Sequence, residues 1–264
     1  IGYLTLSLHY LASIDEKLLP EKEIWIEAII RFVSNFFHLD GSIGNNYGSR
    51  GSSIIYISGL IQAGYKDVTN FLIQSISRKK IPLQNDLDDT NFSPFINSLV
   101  RGAIYLEEVH EKSLNLPLKN EKYLKIFNNA GFVIIINNST QTIIDLKNSG
   151  TETIFTSTNS AKGNLPSIIN KVSNDVYCAF SSEYKIVEDS KLTISVHSQF
   201  HKVNTKPLNN LNIIGSRLLI PIFNLFPFIL KFSKSFLVKR FFKPGKSVGR
   251  YSKVITIKNY SYDS

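Results

Sequence analysis

The sequence predicts an α+β chain with a helical first part and an antiparallel β-sandwich after it. In the first part, apolar side chains recur with the period of a helix. From Phe132 onward the apolar runs are short and are separated by turn residues such as Asn137-Asn138. Pro117 and the polar segment Lys119–Lys122 form a linker between the two patterns. We therefore expect a helical domain over residues 1–116 and a sandwich domain over residues 125–264.

The helical part begins with an apolar stretch, Ile1–Ile14, which is typical of the end of a helix that starts earlier. Pro20 suits the first turn of the next helix, which is expected to run to about Phe37. Within it Ile24, Ala28, Phe32 and Phe36 follow helical spacing. Three further helices are predicted at residues 52–63, 67–77 and 94–111.

Gly64 is a suitable C-cap for the first of these three helices, and Arg78-Lys79-Lys80 suit the C-terminus of the second. The loop that follows carries Asp86, Asp88 and Asp89. These carboxylates suggest calcium, but they lack the glycine and the terminal glutamate of an EF-hand, so a solvated acidic loop is the other reading.

The strand part contains short runs at the spacing of an antiparallel sandwich. The predicted strands are Phe132–Ile136, Thr142–Leu146, Thr153–Thr156, Tyr177–Phe180, Tyr184–Val187, Leu192–Phe200 and Tyr251–Lys258. A strand at the very end of the chain indicates a sandwich that is incomplete at its C-terminus. Even spacing places His197 and His201 on one face of a strand, so zinc is an alternative there, although no third ligand presents itself.

Residues 217–242 interrupt the strands with a strongly apolar segment that contains Pro221 and Pro227. Its apolar stretch is shorter than the roughly 20 residues that a membrane-spanning helix needs. A helical insertion packed on the protein is expected. The alternatives are a spanning segment and a helix at a membrane surface, where basic side chains would meet anionic headgroups: Lys231, Lys234, Lys239, Arg240 and Lys243.

The charge is unevenly distributed along the chain. Residues 1–124 carry 12 basic and 14 acidic side chains (net −2), and residues 125–264 carry 18 basic and 7 acidic (net +11). A basic half indicates a polyanion or an anionic membrane surface as a partner, or lysine enrichment without a partner. The sequence lacks helix-turn-helix, zinc-finger and RNP patterns, so we expect no nucleic acid and favour an acidic polysaccharide.

The most informative stretch is residues 38–56, where four glycines alternate with hydrogen-bonding side chains. A connection between helices needs only a few residues, and this one is much longer. Glycines allow the backbone to bring such side chains together, and loops on a rigid scaffold are where binding and catalysis concentrate. The stretch is expected to form the floor of a polar, sugar-binding cleft.

The order of helices, linker and sandwich resembles the layout of polysaccharide lyases, especially the heparinase II/III-like group. The resemblance is carried by Asp40–Arg50 between helices, by Ala130–Ile136 at the opening of the sheet domain and by Ser252–Lys258 as a later strand. It implies part of an α/α toroid followed by the sandwich. It also implies a carbon–oxygen lyase in a bacterial exopolysaccharide setting, in the periplasm, outside the cell or in the cytoplasm.

Lyases of this kind cleave uronate-containing chains by β-elimination, which suggests roles for the loop residues. Tyr47 is a candidate base or acid, Arg50 a clamp for the uronate carboxylate and His38 a second proton carrier. No metal or other cofactor is expected. The candidates for substrate binding are Asn45, Asn46, Ser49, Tyr56 and Asn91.

Each candidate also has a structural reading. Arg50 would pair with Asp40, Tyr47 would pack its ring under the loop, and the asparagines would adopt left-handed turn conformations. His38 would bond carbonyl groups at a helix end. Tyr56 and Trp25 are candidate sugar-stacking platforms, with core packing expected for Trp25.

Two other classes of function stay open. One is a non-catalytic protein that binds glycans or assembles an exopolysaccharide. The other is a protein that associates with a membrane surface through residues 217–243. The oligomeric state is open as well.

Overall fold

The computed structural model describes residues 1–44, 54–80, 89–107, 112–119, 122–163, 166–170, 175–188, 192–203 and 247–257. Five helices and two antiparallel sheets are present within these residues, which confirms the α+β class. The helices are α1 Gly2–Ala12, α2 Lys22–Val33, α3 Ile57–Gln62, α4 Lys66–Ser77 and α5 Asp89–Tyr105.

Nine strands form the two sheets. The first sheet has the order β1 Lys122–Phe127, β2 Phe132–Asn137, β3 Thr140–Asp145, β4 Thr151–Phe155 and β5 Ser160–Lys162. The second has the order β6 Ser167–Asn170, β7 Asp175–Glu188, β8 Leu192–Val203 and β9 Ser247–Ile257.

Contacts divide the chain into two compact units. The first contains Ile1–Leu146, Gly150–Gly163 and Ile257–Ser264, and the second contains Lys147–Ser149 and Asn164–Thr256. The first sheet thus belongs with the helices, whereas the linker pattern placed a domain boundary at residues 117–124. The reason is a small core in which Phe36 packs with Ile134, Ile143 and Phe155 of the sheet.

Helix α2 is confirmed, but its buried side is not the stripe that begins at Ile24. Ile24 is 69% exposed, whereas Ile26, Ile30 and Val33 are buried. A single 3-10 turn, Ser34–Phe36, follows the helix and brings Phe36 and Phe37 into the interior.

The other helices differ from the predictions mainly at their ends. Residues 54–56 precede α3 without helical structure, and α5 begins before Pro94 and ends at Tyr105. Gly64 follows α3 with φ 78°, the left-handed conformation expected of a glycine that ends a helix.

Several features of the sheets were not predicted, including the short strands β5 and β6. Strand β1 lies where the charged residues around Lys122 had indicated a linker, although Tyr123, Leu124 and Ile126 are apolar. Strand β7 is continuous where two strands were predicted, and its register with β8 shifts between Phe180 and Glu183. Such a bulge inserts residues into one strand without ending the pairing.

Candidate functional site

The first residues of the glycine-rich stretch form a tight turn directly after Phe37. Phe37 and Ile43 pair as an isolated antiparallel bridge. The His38 N–H donates to the Ser42 carbonyl at 2.9 Å, and the Gly41 N–H donates to the His38 carbonyl at 2.9 Å. Gly41 has φ 86°, which favours glycine at the apex of the turn.

Three buried polar side chains connect this turn from within. Asp40 Oδ1 accepts hydrogen bonds from the Ser42 N–H at 2.9 Å and from the Ser42 hydroxyl at 2.6 Å. Ser42 Oγ also lies 2.9 Å from His38 Nδ1. A hydroxyl has one proton to donate, so the network assigns the Ser42 proton to Asp40 and a proton on Nδ1 to His38.

His38 is fully buried, and its imidazole stacks on the ring of Phe155 with centroids 3.8 Å apart. Burial lowers the pKa of His38 from 6.5 to about 3, and the nearby Asp40 carboxylate only partly opposes the shift. The ring is therefore neutral at pH 7. This environment favours a structural role for His38 over exchange of protons with a substrate.

Besides Phe155, a further residue of the first sheet contacts the turn: Gln141 in β3. The buried side chain of Gln141 donates from Nε2 to the Phe37 carbonyl at 3.0 Å and accepts from the Leu39 N–H at 3.3 Å. Both hydrogen-bonding ends of the amide are thus used on backbone groups that flank His38. Sequence reasoning missed Gln141, because nothing local connects it to a turn 102 residues away.

Basic side chains from the residues that follow α4 also lie beside the turn. Lys80 Nζ is 3.7 Å from Asp40 Oδ2. A methyl group added at Gly41 would lie 3.8 Å from Arg78 Cδ, so the stem of Arg78 passes close to the apex. The cations at the end of α4, expected to suit a helix C-terminus, also surround this turn.

Five of the predicted site residues lie outside the described residues: Asn45, Asn46, Tyr47, Ser49 and Arg50. Asn91 lies in the first turns of α5, and its side chain is outside the described part as well. Asp86 and Asp88 of the acidic loop and all of residues 217–242 also lie outside the described residues.

The burial of the two aromatic candidates for sugar stacking is the reverse of the expectation. Tyr56 is 3% exposed, and its backbone N–H donates to Thr5 Oγ1 at 3.1 Å, so its ring belongs to the helical interior. Trp25, expected in the core, is 55% exposed on α2. Of the two, Trp25 is the ring that solvent reaches.

A separate polar groove of about 450 Å³ lies in the second unit. Strands β7, β8 and β9 contribute Glu183, His197, Gln199, His201, Arg250 and Ser252 to it. His197 Nδ1 lies 3.2 Å from Ser252 Oγ, which joins β8 to β9 at the surface. The sequence signal for this groove was the alternation of polar and apolar residues in β8, which had been considered only for zinc.

The zinc alternative at His197 and His201 loses support. Both lie in β8, where four residue steps separate Cα atoms by about 13 Å. Two imidazoles at that separation do not converge on one ion as tetrahedral ligands require. Among the residues that the structure describes, no group of three or more histidine, cysteine, aspartate or glutamate side chains is placed to hold a metal ion.

Fold and sites together define an α+β protein with a hydrogen-bonded polar turn in its first unit and a polar groove in its second. Comparisons with protein-family models, with curated proteins and with solved structures found no match. Within the described ranges, no helix combines the length and the apolar character needed to cross a membrane.

Proposed function

We propose that this protein processes an acidic, uronate-containing polysaccharide by β-elimination. The observation that supports the proposal best is the anchored turn at residues 37–44, which directly precedes the cluster of amide, phenol and guanidinium groups at residues 45–50. Asp40 accepts, Ser42 donates, and Gln141 both donates and accepts the hydrogen bonds that hold this turn. Catalytic groups gain most from a support of this kind.

β-Elimination requires a base, an acid and a group that neutralises the uronate carboxylate. A base removes the proton at C5 of the uronate, the electron pair forms a double bond to C4, and the bond from C4 to the leaving oxygen breaks. An acid then protonates the leaving oxygen. Arg50 neutralises the carboxylate while charge develops, with Asn45 or Asn46 as a further donor, and Tyr47 serves as base or acid.

His38 has a different part in this proposal from the one its sequence position suggested. Its neutral, buried ring holds the turn together and does not carry protons to the substrate. The proposal also includes a toroid-like arrangement of the helices and a sandwich of the two sheets.

The test is an elimination assay on the whole chain with a polyuronate as substrate. Cleavage produces an unsaturated uronate that absorbs in the ultraviolet, and a neutral polysaccharide of similar length is the control. We expect absorbance to rise with the polyuronate alone. A flat trace with several polyuronates that the protein binds would contradict the proposal.

A non-catalytic glycan-binding protein is the second candidate function. The burial of His38 favours it, because the predicted second proton carrier is enclosed by Phe155 and the turn. The membrane-surface alternative stays a prediction about residues 217–243. Sedimentation with anionic vesicles tests it, since a lyase without membrane affinity stays in the supernatant.

A further inference from the structure

The groove on the second sheet presents a row of polar side chains to solvent. In β8, His197 and Gln199 are exposed, whereas the residues between and beside them, Val196, Ser198 and Phe200, are buried. Successive members of such a row are about 7 Å apart. The row is therefore an extended surface that suits an elongated ligand better than a compact one.

Strand β9 supplies the cation of the groove. Arg250 is exposed, and it forms no ion pair with any residue in the part of the chain that the structure describes. A guanidinium presents a planar fork of N–H donors that matches a carboxylate in a bidentate manner. Arg250 is thus available to a ligand that carries such a group.

Further hydrogen-bonding groups surround this cation. Gln199 offers an amide, Ser252 a hydroxyl and His197 an imidazole, all on the same groove. Glu183 stands opposite His197 in the register of β7 and β8 and adds an exposed carboxylate. The groove therefore combines one strong anion-binding group with several groups that bond hydroxyls.

We propose that this groove binds an acidic oligosaccharide without cleaving it. Arg250 holds the carboxylate of a uronate, and the amide, hydroxyl and imidazole groups bond the ring hydroxyls along the chain. The inference rests on the proposed function for the class of ligand, but it requires no reaction at the glycine-rich loop. The volume of about 450 Å³ lies within the range of sites for small ligands.

The carboxylate of Glu183 distinguishes this ligand from a nucleic acid. The backbone of a single-stranded DNA offers only acceptor oxygens, so a carboxylate inside the groove meets no hydrogen-bond donor along it. A sugar offers hydroxyl donors, which a carboxylate accepts readily. The net charge of residues 125–264 would attract either polymer, whereas the composition of the groove favours the sugar.

The experiment is a calorimetric titration of the whole chain with an oligomer of galacturonic acid. The matched ligand is the same oligomer as its methyl ester, which keeps the sugar and removes the charge. We expect the acid to bind at least tenfold more tightly than the ester, as loss of a charged hydrogen bond implies. Arg250→Ala should weaken binding of the acid by about tenfold and leave binding of the ester unchanged.

Lys253→Ala is the matched control variant. It removes the same charge from the same strand, but alternation along β9 places it on the opposite face from Arg250. Its affinity for the acid should equal that of the unaltered protein. Arg250→Lys keeps the charge without the planar fork and should show an intermediate affinity. Thermal melting of each variant confirms that it is folded, and Gln199→Ala replaces Arg250→Ala if the latter does not fold.

Three results would overturn the inference. They are equal affinity for acid and ester, equal losses in Arg250→Ala and Lys253→Ala, and a single-stranded oligonucleotide of equal charge that binds more tightly than the sugar. Binding that depends on Arg250 without unsaturated product contradicts the proposed function and supports this inference. Unsaturated product without binding that depends on Arg250 supports the proposed function and contradicts this inference.

Discussion

The imidazole of His38 lies nearly parallel to the ring of Phe155, at an interplanar angle of 11°. The contact joins the start of the glycine-rich stretch to the last residue of β4, so the turn and the first sheet pack together. A histidine held in this way remains neutral, and its protonation must disturb the packing around it.

Replacement of His38 by phenylalanine should remove part of the pH dependence of stability. In the folded protein the pKa is lowered to about 3, whereas the unfolded chain keeps about 6.5, so between these values only the unfolded state binds the proton. Stability is therefore complete above pH 6.5 and is lost as the pH falls towards 3, by an amount on the order of a few kcal/mol. Urea unfolding of both proteins at a series of pH values measures the effect.

Tyr123→Phe is the control for that measurement. It removes the hydrogen bond from the Tyr123 hydroxyl to Asn35 Oδ1, which is 2.6 Å long and lies in the same unit. Its loss of stability should be the same at pH 7 and pH 4. An unchanged slope in His38→Phe would show that His38 titrates normally and that the imidazole is not enclosed as described.

Gln141→Ala should destabilise the first unit by about 2 kcal/mol, because it leaves two backbone groups beside His38 without their partners. Gln62→Ala is the milder counterpart, since Gln62 makes one bond, from Nε2 to the Ala12 carbonyl, and is only half-buried. Chemical denaturation compares the two. Equal losses would mean that Gln141 does not anchor the turn.

Gly59→Ala tests the close approach of α1 and α3. A Cβ at Gly59 would lie 2.5 Å from the His9 backbone nitrogen and equally close to the Leu8 backbone, so one helix must move. We expect a loss of several kcal/mol or failure to fold, as for other overpacked cores. Gly64→Ala meets no atom within 4 Å and should cost only about 1 kcal/mol, through its φ of 78°. Similar melting temperatures for the two variants would contradict this packing.

Tyr47→Phe should reduce β-elimination by about 100-fold if Tyr47 transfers a proton, because general acid–base groups contribute on that scale. The readout is the ultraviolet absorbance of the unsaturated product. Tyr10→Phe, which removes an exposed hydroxyl from α1, is the matched control and should retain full activity. Full activity in Tyr47→Phe would remove Tyr47 from the mechanism.

Arg50→Ala should weaken binding of a polyuronate more than binding of a neutral glycan, by about tenfold. The reason is that a guanidinium recognises the carboxylate, which only the uronate carries. Parallel titrations with the two glycans measure the difference. Equal losses would assign Arg50 a structural role, such as an ion pair with Asp40.

The period of apolar residues was sufficient to predict the α+β class and the helices α2 and α4. It did not predict which stripe of α2 is buried, because Ile24 and Ile26 both belong to plausible helical faces and only packing against α1 and the first sheet selects between them. Charged residues led to a linker being predicted at β1, and two short strands were predicted where β7 continues through a bulge.

The site was predicted in part, for reasons of distance along the chain. Glycine spacing located the turn at residues 38–44, since positive φ angles are a local property. Gln141, Phe155 and Lys80 approach that turn from distant segments, so no local pattern reveals them. The groove of Glu183, Gln199 and Arg250 likewise exists only once three strands are paired.

Trp25 has a practical consequence, because it is the only tryptophan of the chain and its ring is 55% exposed. Its fluorescence therefore reports from one known place on α2. Emission should already resemble that of an indole in water, so unfolding will change its wavelength little. Iodide quenching or a shift on addition of a glycan would, in contrast, identify a molecule arriving at that helix.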